Sequence, residues 1–209
     1  MLIKYLSSSA QSTPIIAILR GVQSREVTPI CEALLAAGIQ GIEIPLNSPD
    51  PYASIEKLVD KFSDRALIGA GTVLNIDQVD RLHEIGARLL VMPNTNPPLI
   101  RHAASKKMLT LPGAMTPTEI FQAIEAGACG VKLFPARTLG IEHFIDVKAV
   151  LPRDFPVFAV GGVDAANAVD WLEAGAAGVG VGSSLYRIGD SAETVHDKAL
   201  SLLKALAAP

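Results

Sequence analysis

The chain contains little cysteine, and its two cysteines do not form a metal-binding pattern. Cys31 and Cys129 lie far apart, with no CxxC motif and no histidine at ligand spacing. The four histidines are spread over predicted helices: His83, His102, His143 and His196. Structural zinc sites need clustered ligands, so we expect no metal. Two scattered thiols are typical of small core residues in a reducing compartment, although sequence separation alone leaves a disulfide open.

The chain also lacks an excess of positive charge and any long apolar run. It has 18 Lys and Arg residues against 21 Asp and Glu, a net charge of -3, and only 5% aromatic residues. Nucleic acids and acidic membranes need a basic face, so we expect neither as a partner. The apolar run at residues 1–6 is too short for a signal peptide, and no stretch approaches the roughly 20 apolar residues of a membrane span. We therefore expect a cytoplasmic protein.

What the sequence does contain is an alternation of short apolar runs with amphipathic segments. The runs are rich in Val, Ile, Leu and Ala, as in parallel strands covered on both faces, and lie at residues 15–20, 41–46, 67–72, 88–92, 108–111, 130–134, 157–160 and 178–181. The segments between and after them carry apolar residues at helical spacing and lie at residues 26–37, 51–62, 76–85, 98–104, 117–126, 142–150, 165–174 and 192–207. Eight strand–helix units are the inventory of an α/β fold of the (β/α)₈ TIM-barrel type.

We predict one barrel domain over residues 15–209, preceded by a lead-in at residues 1–14. The alternative fold is a doubly wound open sheet, which normally carries a Gly-rich dinucleotide loop after its first strand. That position reads LRGV at 19–22, without GxGxxG. Local signals agree with the predicted helix ends, because TPTE at 116–119 has the form of a capping box and glycines follow four helical segments, at Gly38, Gly86, Gly127 and Gly175.

Lys132 is the only charged residue in the apolar run GVKLFP at 130–135. Burial penalises the ammonium form, so such a lysine can lose its proton near neutral pH although the unperturbed pKa of lysine is about 10.4. A neutral amine attacks ketones and aldehydes to form an imine, which serves as an electron sink for making or breaking an adjacent carbon–carbon bond. The alternative is a lysine that pairs with a carboxylate or extends to solvent. This run alone does not separate the two.

Polar residues follow several of the predicted strands, where the C-terminal ends of barrel strands face a common mouth. They are Arg20, Glu43, Thr72, Asn94, Lys132 and the pair Gly161 and Gly162. If the aliphatic neighbours of Glu43 and Lys132 pack against helices, strand alternation turns both charged side chains into the barrel. Glu43 is then the candidate general acid and base, with a salt bridge to Lys132 or Arg20 as the alternative. The planar guanidinium of Arg20 suits a substrate carboxylate or would orient Glu43.

Glycine-rich segments follow the last two predicted strands and read VGGVD at 160–164 and VGVGSS at 179–184. Loops in these places often bind phosphate through backbone N–H groups, and glycine permits close approach. One such loop alone indicates a tight turn, but the two together predict a phosphate site. The segment GAGTV at 69–73 lacks the lysine of a P-loop, so we assign Thr72 to substrate contact or barrel packing.

Four separated motifs make the chain resemble the class I 2-keto-3-deoxy-phosphosugar-acid aldolases, the KDPG/KHG aldolase family. They are IEIPL at 42–46, GAGTVL at 69–74, KLFPA at 132–136 and VGGV at 160–163. The resemblance implies reversible cleavage of a 2-keto-3-deoxy-6-phospho sugar acid to pyruvate and glyceraldehyde 3-phosphate. It also implies a homotrimer that needs no metal or other cofactor.

The resemblance further implies a role for each matching residue. Lys132 would form the Schiff base and Glu43 would transfer protons. The pyruvyl end would be held by Arg20 and Thr72, and the phosphate would be received by Gly161, Gly162, Gly182 and Ser183.

Two departures choose between subfamilies. Gluconate-type members have Thr-Leu-Arg-Thr after the glutamate and Thr-Gly-Gly before the phosphate loop, whereas this chain has PLNS at 45–48 and VGG at 160–162. Together with AILRG at 17–21, these differences resemble the galactonate type. We therefore expect 2-dehydro-3-deoxy-6-phosphogalactonate as the substrate, with Val160 in contact with it. A valine methyl in place of a hydroxyl removes a hydrogen bond that could favour one sugar configuration.

Other functions stay open at this level. The gluconate epimer could be the main substrate, and a sugar-phosphate isomerase or epimerase would use the same barrel and phosphate loops without a covalent Lys132. In a catalytically idle sugar-phosphate-binding protein, Glu43 and Lys132 would form a structural ion pair.

Overall fold

The predicted strands and helices are all present in the structure, a computed structural model that describes residues 14–207. The strands are β1 (Ile15–Ile18), β2 (Gly41–Pro45), β3 (Leu67–Gly71), β4 (Leu89–Val91), β5 (Leu109–Leu111), β6 (Gly113–Ala114), β7 (Val131–Leu133), β8 (Val157–Val160) and β9 (Gly178–Val181). The helices are α1 (Val27–Ala37), α2 (Pro51–Phe62), α3 (Ile76–Ile85), α4 (Pro97–Ser105), α5 (Pro117–Glu125), α6 (Ala136–Ala149), α7 (Ala168–Glu173) and α8 (Ala192–Ala207). The lead-in predicted for residues 1–14 lies, except for Pro14, outside the described residues.

The strands form a parallel barrel that closes through a broken strand. Their order is β5-β4-β3-β2-β1-β9-β8-β7-β6. β5 pairs with β4 and β6 pairs with β7, and only Pro112 separates β5 from β6 in the chain. Proline has no N–H to donate, but its carbonyl oxygen accepts a hydrogen bond from the backbone N–H of Lys132 at 2.9 Å. The (β/α)₈ barrel is thus confirmed, and the predicted fifth strand, which ended at Leu111, continues beyond Pro112 as β6.

Side chains alternate between two apolar layers of the barrel wall. Outward-facing residues such as Ile42, Ile44 and Leu133 pack in the large core shared with the helices. A smaller cluster fills the barrel interior: Ile16, Leu67, Leu89, Val91, Leu109, Leu111, Phe158 and Val160. Glu43 and Lys132 lie between outward-facing residues of their strands, so both side chains point inward, the orientation that the alternation predicts.

Helix ends follow the local signals with one exception. Thr116 forms a capping box with Glu119 at the start of α5, and the four glycines predicted to end helices have φ between 87° and 110°. The exception is α6, which begins at Ala136 rather than at the predicted residue 142. Residues 136–139 form a helical turn before a kink at Gly140, whose φ of 83° and ψ of 167° are not helical. None of the described helices has the length and apolar character needed to cross a membrane.

Candidate active site

Lys132 and Glu43 are two buried ionisable groups inside one barrel. Lys132, on β7, is 7% exposed, and Glu43, on β2, is 2% exposed. The two strands are not neighbours in the sheet, so the side chains approach one another across the barrel interior. Each charge acts on the pKa of the other. The barrel therefore brings an amine and a carboxyl group into the same water-poor space.

Gly71 makes room for the Glu43 carboxyl group. A Cβ atom at position 71 would overlap the carboxylate of Glu43. The Oε2 atom of Glu43 is buried and has no hydrogen-bond partner among residues 14–207. Buried polar atoms normally have a hydrogen-bond partner, so an unpaired carboxyl oxygen indicates a group that is available to bind a ligand or a proton. The glycines of the GAGTV segment thus shape the barrel interior, and Thr72 follows them with a φ of 57° and a half-buried side chain.

Burial sets the pKa values of this pair. It raises the pKa of the Glu43 carboxyl group, and the positive charges of Lys132 and Arg20 offset part of that rise. Burial also lowers the pKa of the Lys132 amine. The negative charge of Glu43 opposes this shift, and the positive charge of Arg20 adds to it. Across residues 14–207, neither group forms an ion pair within 4.0 Å. The salt bridge considered as the alternative role of Glu43 is therefore not formed, and both groups are biased toward their neutral states.

Phe134 covers the Lys132 amine. The Nζ atom of Lys132 lies 4.5 Å from the centroid of the Phe134 ring. Phe134 directly follows β7, and its ring packs against the apolar cluster inside the barrel. An aromatic ring beside the amine excludes water from it, which agrees with a lowered pKa. The sequence analysis did not assign Phe134 to the site.

Arg20 is positioned by the loop that follows β2. Its Nη1 atom donates to Oδ1 of Asn47 at 2.6 Å, and the backbone N–H of Gly21 donates to Oγ of Ser48 at 3.0 Å. Arg20 therefore does not orient Glu43 by a hydrogen bond, and its side chain stays exposed at the mouth. The link between Arg20 and Asn47 joins two of the sequence features that distinguish the galactonate-type pattern.

A cavity of about 300 Å³ opens between the glycine-rich loops after β8 and β9. All four residues expected to receive phosphate line it, namely Gly161, Gly162, Gly182 and Ser183, together with Val160 and Arg20. Lys132, Glu43 and Thr72 are not among its lining residues, but Phe134 is. Because Phe134 also contacts the Lys132 amine, it connects the cavity with the buried pair. Asn94, the remaining strand-end candidate, is exposed and outside this lining.

Two further arginines line the same cavity and were missed by the sequence analysis. The Nε atom of Arg187 donates to the carbonyl oxygen of Ser183 at 3.0 Å. The backbone N–H of Arg137 donates to the carbonyl oxygen of Gly161 at 2.9 Å. Arg137 comes just after β7, so the strand-end rule that selected Lys132 would have found it if it had been extended past Pro135.

Within residues 14–207, no group of three or more His, Cys, Asp and Glu side chains is arranged to hold a metal ion. Cys31 and Cys129 are both free, which settles the disulfide left open by the sequence. Burial raises the pKa of the Cys31 thiol to about 12. That thiol is therefore an inert core group at neutral pH.

Residues 6–198 match the family model described as "Aldolase: KDPG and KHG aldolase". A Rhizobium meliloti protein named as a probable 2-dehydro-3-deoxy-6-phosphogalactonate aldolase is 49% identical over 192 residues, which span 92% of this chain and 91% of that protein. The Escherichia coli protein named 2-dehydro-3-deoxy-6-phosphogalactonate aldolase is 47% identical over 92% of this chain and 94% of its own length. A solved structure described as native KDPGal superimposes with a TM-score of 0.91 at 46% identity, covering 94% of this chain and 96% of that one.

Proposed function

The chain belongs to the KDPG and KHG aldolase family, and on that basis we propose that it reversibly cleaves 2-dehydro-3-deoxy-6-phosphogalactonate to pyruvate and D-glyceraldehyde 3-phosphate. It is a carbon–carbon lyase. Two relatives at 49% and 47% identity carry the name of the galactonate enzyme. The observation that carries the chemistry is a pair of buried ionisable groups inside one barrel, Lys132 and Glu43, whose pKa values burial shifts toward neutral pH.

The proposed reaction begins with attack of the neutral Lys132 amine on the C2 carbonyl of the substrate. The carbinolamine loses water to give an iminium ion, for which the Glu43 carboxyl group supplies a proton to the leaving hydroxyl. The Glu43 carboxylate left by that step then takes the C4 hydroxyl proton, the C3–C4 bond breaks, and its electron pair passes into the iminium, forming an enamine and releasing the phosphorylated aldehyde. Protonation of the enamine carbon by Glu43 and hydrolysis then release pyruvate and regenerate the amine.

The remaining site residues hold the two charged ends of the substrate in this proposal. The carboxylate binds Arg20, whose planar fork matches its geometry, and Thr72 contacts the pyruvyl end. The phosphate binds to the loops of Gly161, Gly162, Gly182 and Ser183 through backbone N–H groups. The cavity supports this arrangement because it contains both Arg20 and the four loop residues.

One experiment tests the proposed function directly. Purified protein is incubated with the galactonate and the gluconate phosphosugar acids, and pyruvate release is measured for each. We expect a higher kcat/KM for the galactonate compound. Reduction with borohydride in the presence of pyruvate, followed by intact mass, should give a covalent adduct. A protein that isomerises either compound, or binds it without an adduct, would instead fit the isomerase or the idle binding protein.

We also propose a homotrimer in the cytoplasm. Several large apolar side chains are at least 39% exposed: Leu74, Ile76, Met115, Phe121, Ile145, Val150 and Ile188. The family resemblance implies three chains, and exposed apolar side chains such as these are available to an interface between them. Two free thiols agree with a reducing compartment. Light scattering measures the number of 22.0 kDa chains in the particle.

Val160 is the residue expected to influence the choice of epimer. It is 4% exposed and lines the cavity. A Cβ atom at Gly180 would lie only 2.8 Å from Cγ2 of Val160, so Gly180 leaves room for this side chain. Val160→Thr should raise activity on the gluconate epimer relative to the galactonate one by about 2- to 13-fold, the value of one net hydrogen bond. The measurement is the ratio of the two kcat/KM values.

The matched control for this prediction is Val160→Ala, which removes methyl groups without adding a hydroxyl. If both variants change the ratio equally, the effect comes from lost packing and not from hydrogen bonding. A ratio within error of the parent enzyme removes Val160 from the specificity argument and leaves the proposal for Lys132 and Glu43 unchanged.

A further inference from the structure

Three guanidinium groups line the predicted phosphate cavity, and one of them has no hydrogen-bond or ion-pair partner among residues 14–207. Arg20 donates to Asn47 and Arg187 donates to the carbonyl oxygen of Ser183. The guanidinium of Arg137, by contrast, makes no hydrogen bond or ion pair with any residue from 14 to 207. An arginine side chain has five N–H donors, and Arg137, which lines the cavity, uses none of them within the described residues.

Arg137 is nevertheless held in a defined place. Its backbone N–H donates to the carbonyl oxygen of Gly161 at 2.9 Å. Its side chain lies across the Cα atom of Gly162, where an added Cβ would lie 2.6 Å from Cβ, 2.8 Å from Cδ and 3.0 Å from Nε of Arg137. The loop can accept this close packing because position 162 is glycine with a φ of 81°. The guanidinium is thus anchored at the rim of the glycine loop and not free to sample the whole surface.

No carboxylate forms an ion pair with Arg137 among residues 14–207. The first turn of α6 contains no acidic residue. The acidic residue that lines the described cavity is Asp164, and its Oδ1 atom already accepts a hydrogen bond from the backbone N–H of Ala166 at 2.9 Å. Arg137 and Arg187 thus both line the cavity, and neither forms an ion pair within 4.0 Å among residues 14–207. A dianion that accepts several hydrogen bonds is the ligand that such an arrangement favours.

We propose that the Arg137 guanidinium binds the phosphate group of the substrate and so sets the preference of the enzyme for phosphorylated over unphosphorylated acceptors. The proposal rests on the proposed function, because it assigns a residue to the phosphate end of that substrate. Backbone N–H groups alone recognise an anion mainly by shape. A guanidinium adds charge, and its planar fork can bond two phosphate oxygens at once.

The test compares acceptors with and without phosphate in Arg137→Ala. In the aldol direction with pyruvate, kcat/KM for D-glyceraldehyde 3-phosphate should fall about 10- to 100-fold, as for loss of a charged hydrogen-bonded contact. Activity with unphosphorylated D-glyceraldehyde should stay within about 3-fold of the parent enzyme, because that acceptor makes no contact that the variant loses. Arg137→Lys keeps the charge without the fork and should give an intermediate loss. Arg153→Ala, which removes an exposed arginine outside the cavity lining, is the matched control and should change neither activity.

A binding measurement keeps the proposal independent of turnover. Glycerol 3-phosphate has the phosphate monoester but no carbonyl, so it tests the phosphate site without forming an imine. Its Kd, measured by calorimetry, should rise at least about 10-fold in Arg137→Ala and stay unchanged in Arg153→Ala. An unchanged Kd in Arg137→Ala, or equal losses with both aldehydes, would overturn the assignment. Failure of the proposed function would be seen separately, because the parent enzyme itself would then form no borohydride-trapped adduct with pyruvate.

Discussion

The Lys132→Met variant is expected to lose aldol cleavage by at least about 10⁴-fold and to form no adduct with pyruvate and borohydride. Lys132 is the only amine that lies inside the barrel within the described chain, and methionine keeps the volume of its stem while removing the nucleophile. The fold should survive. Removal of a buried amine whose pKa is already lowered takes away a desolvation cost, so the melting temperature should be unchanged or higher.

Lys204→Met is the matched control for this variant. It changes the same residue type at an exposed position of α8, and trapping should proceed as in the parent enzyme. Intact mass gives the number of adducts, and a peptide digest locates them. A pyruvate adduct that persists in Lys132→Met would assign the Schiff base to another lysine and would leave Lys132 as a packing residue.

The Glu43→Gln variant should keep the amine but slow every proton transfer that follows. Lost general acid–base catalysis corresponds to about 10²- to 10⁴-fold in kcat. Glutamine has nearly the size of glutamate, so it fits the space beside Gly71. The most direct measurement is exchange of the pyruvate methyl protons with deuterium in heavy water, which requires both the imine and a base. We expect this exchange to slow by a similar factor, while borohydride trapping still reaches completion at long times.

Exposed Glu84 provides the control, because Glu84→Gln removes one carboxylate on α3 away from the barrel interior. Its exchange rate should equal that of the parent enzyme. If Glu43→Gln exchanges the methyl protons at the parent rate, Glu43 is not the proton carrier, whatever happens to overall turnover.

The fold was largely predictable because its signals are local. Apolar runs, helical spacing and capping residues such as Thr116 each act within a few residues, so they can be recognised in the chain alone. The prediction was incomplete at two places. The predicted fifth strand ended at Leu111, whereas the structure continues it beyond Pro112 as β6. The helix predicted at 142–150 corresponds to the part of α6 that follows the kink at Gly140, and the helical turn at residues 136–139 before the kink was missed.

The candidate site was predictable only where strand alternation determines whether a side chain points into or out of the barrel. Successive side chains of a strand point to opposite faces, and this alternation alone puts Glu43 and Lys132 on the inner face of the barrel. The hydrogen bond from Arg20 to Asn47 and the packing of Arg137 over Gly162 obey no such period. Both arise from long side chains that reach between loops far apart in the chain, and their positions depend on rotamers chosen by the surrounding packing.

The sequence by itself determined the type and order of the elements, the inward direction of the two charged side chains and the family resemblance, because each of these is written in neighbouring residues. Only the tertiary structure decided that, within the described part of the chain, Glu43 lies over Gly71 without an ion pair, Phe134 covers the amine, and the Arg137 guanidinium lines the cavity without a hydrogen-bond partner. The physical reason is that burial, pKa and the presence of a partner depend on what the folded chain brings within a few ångströms. Residues as distant in sequence as Arg20, Arg137 and Arg187 become neighbours only when the barrel closes.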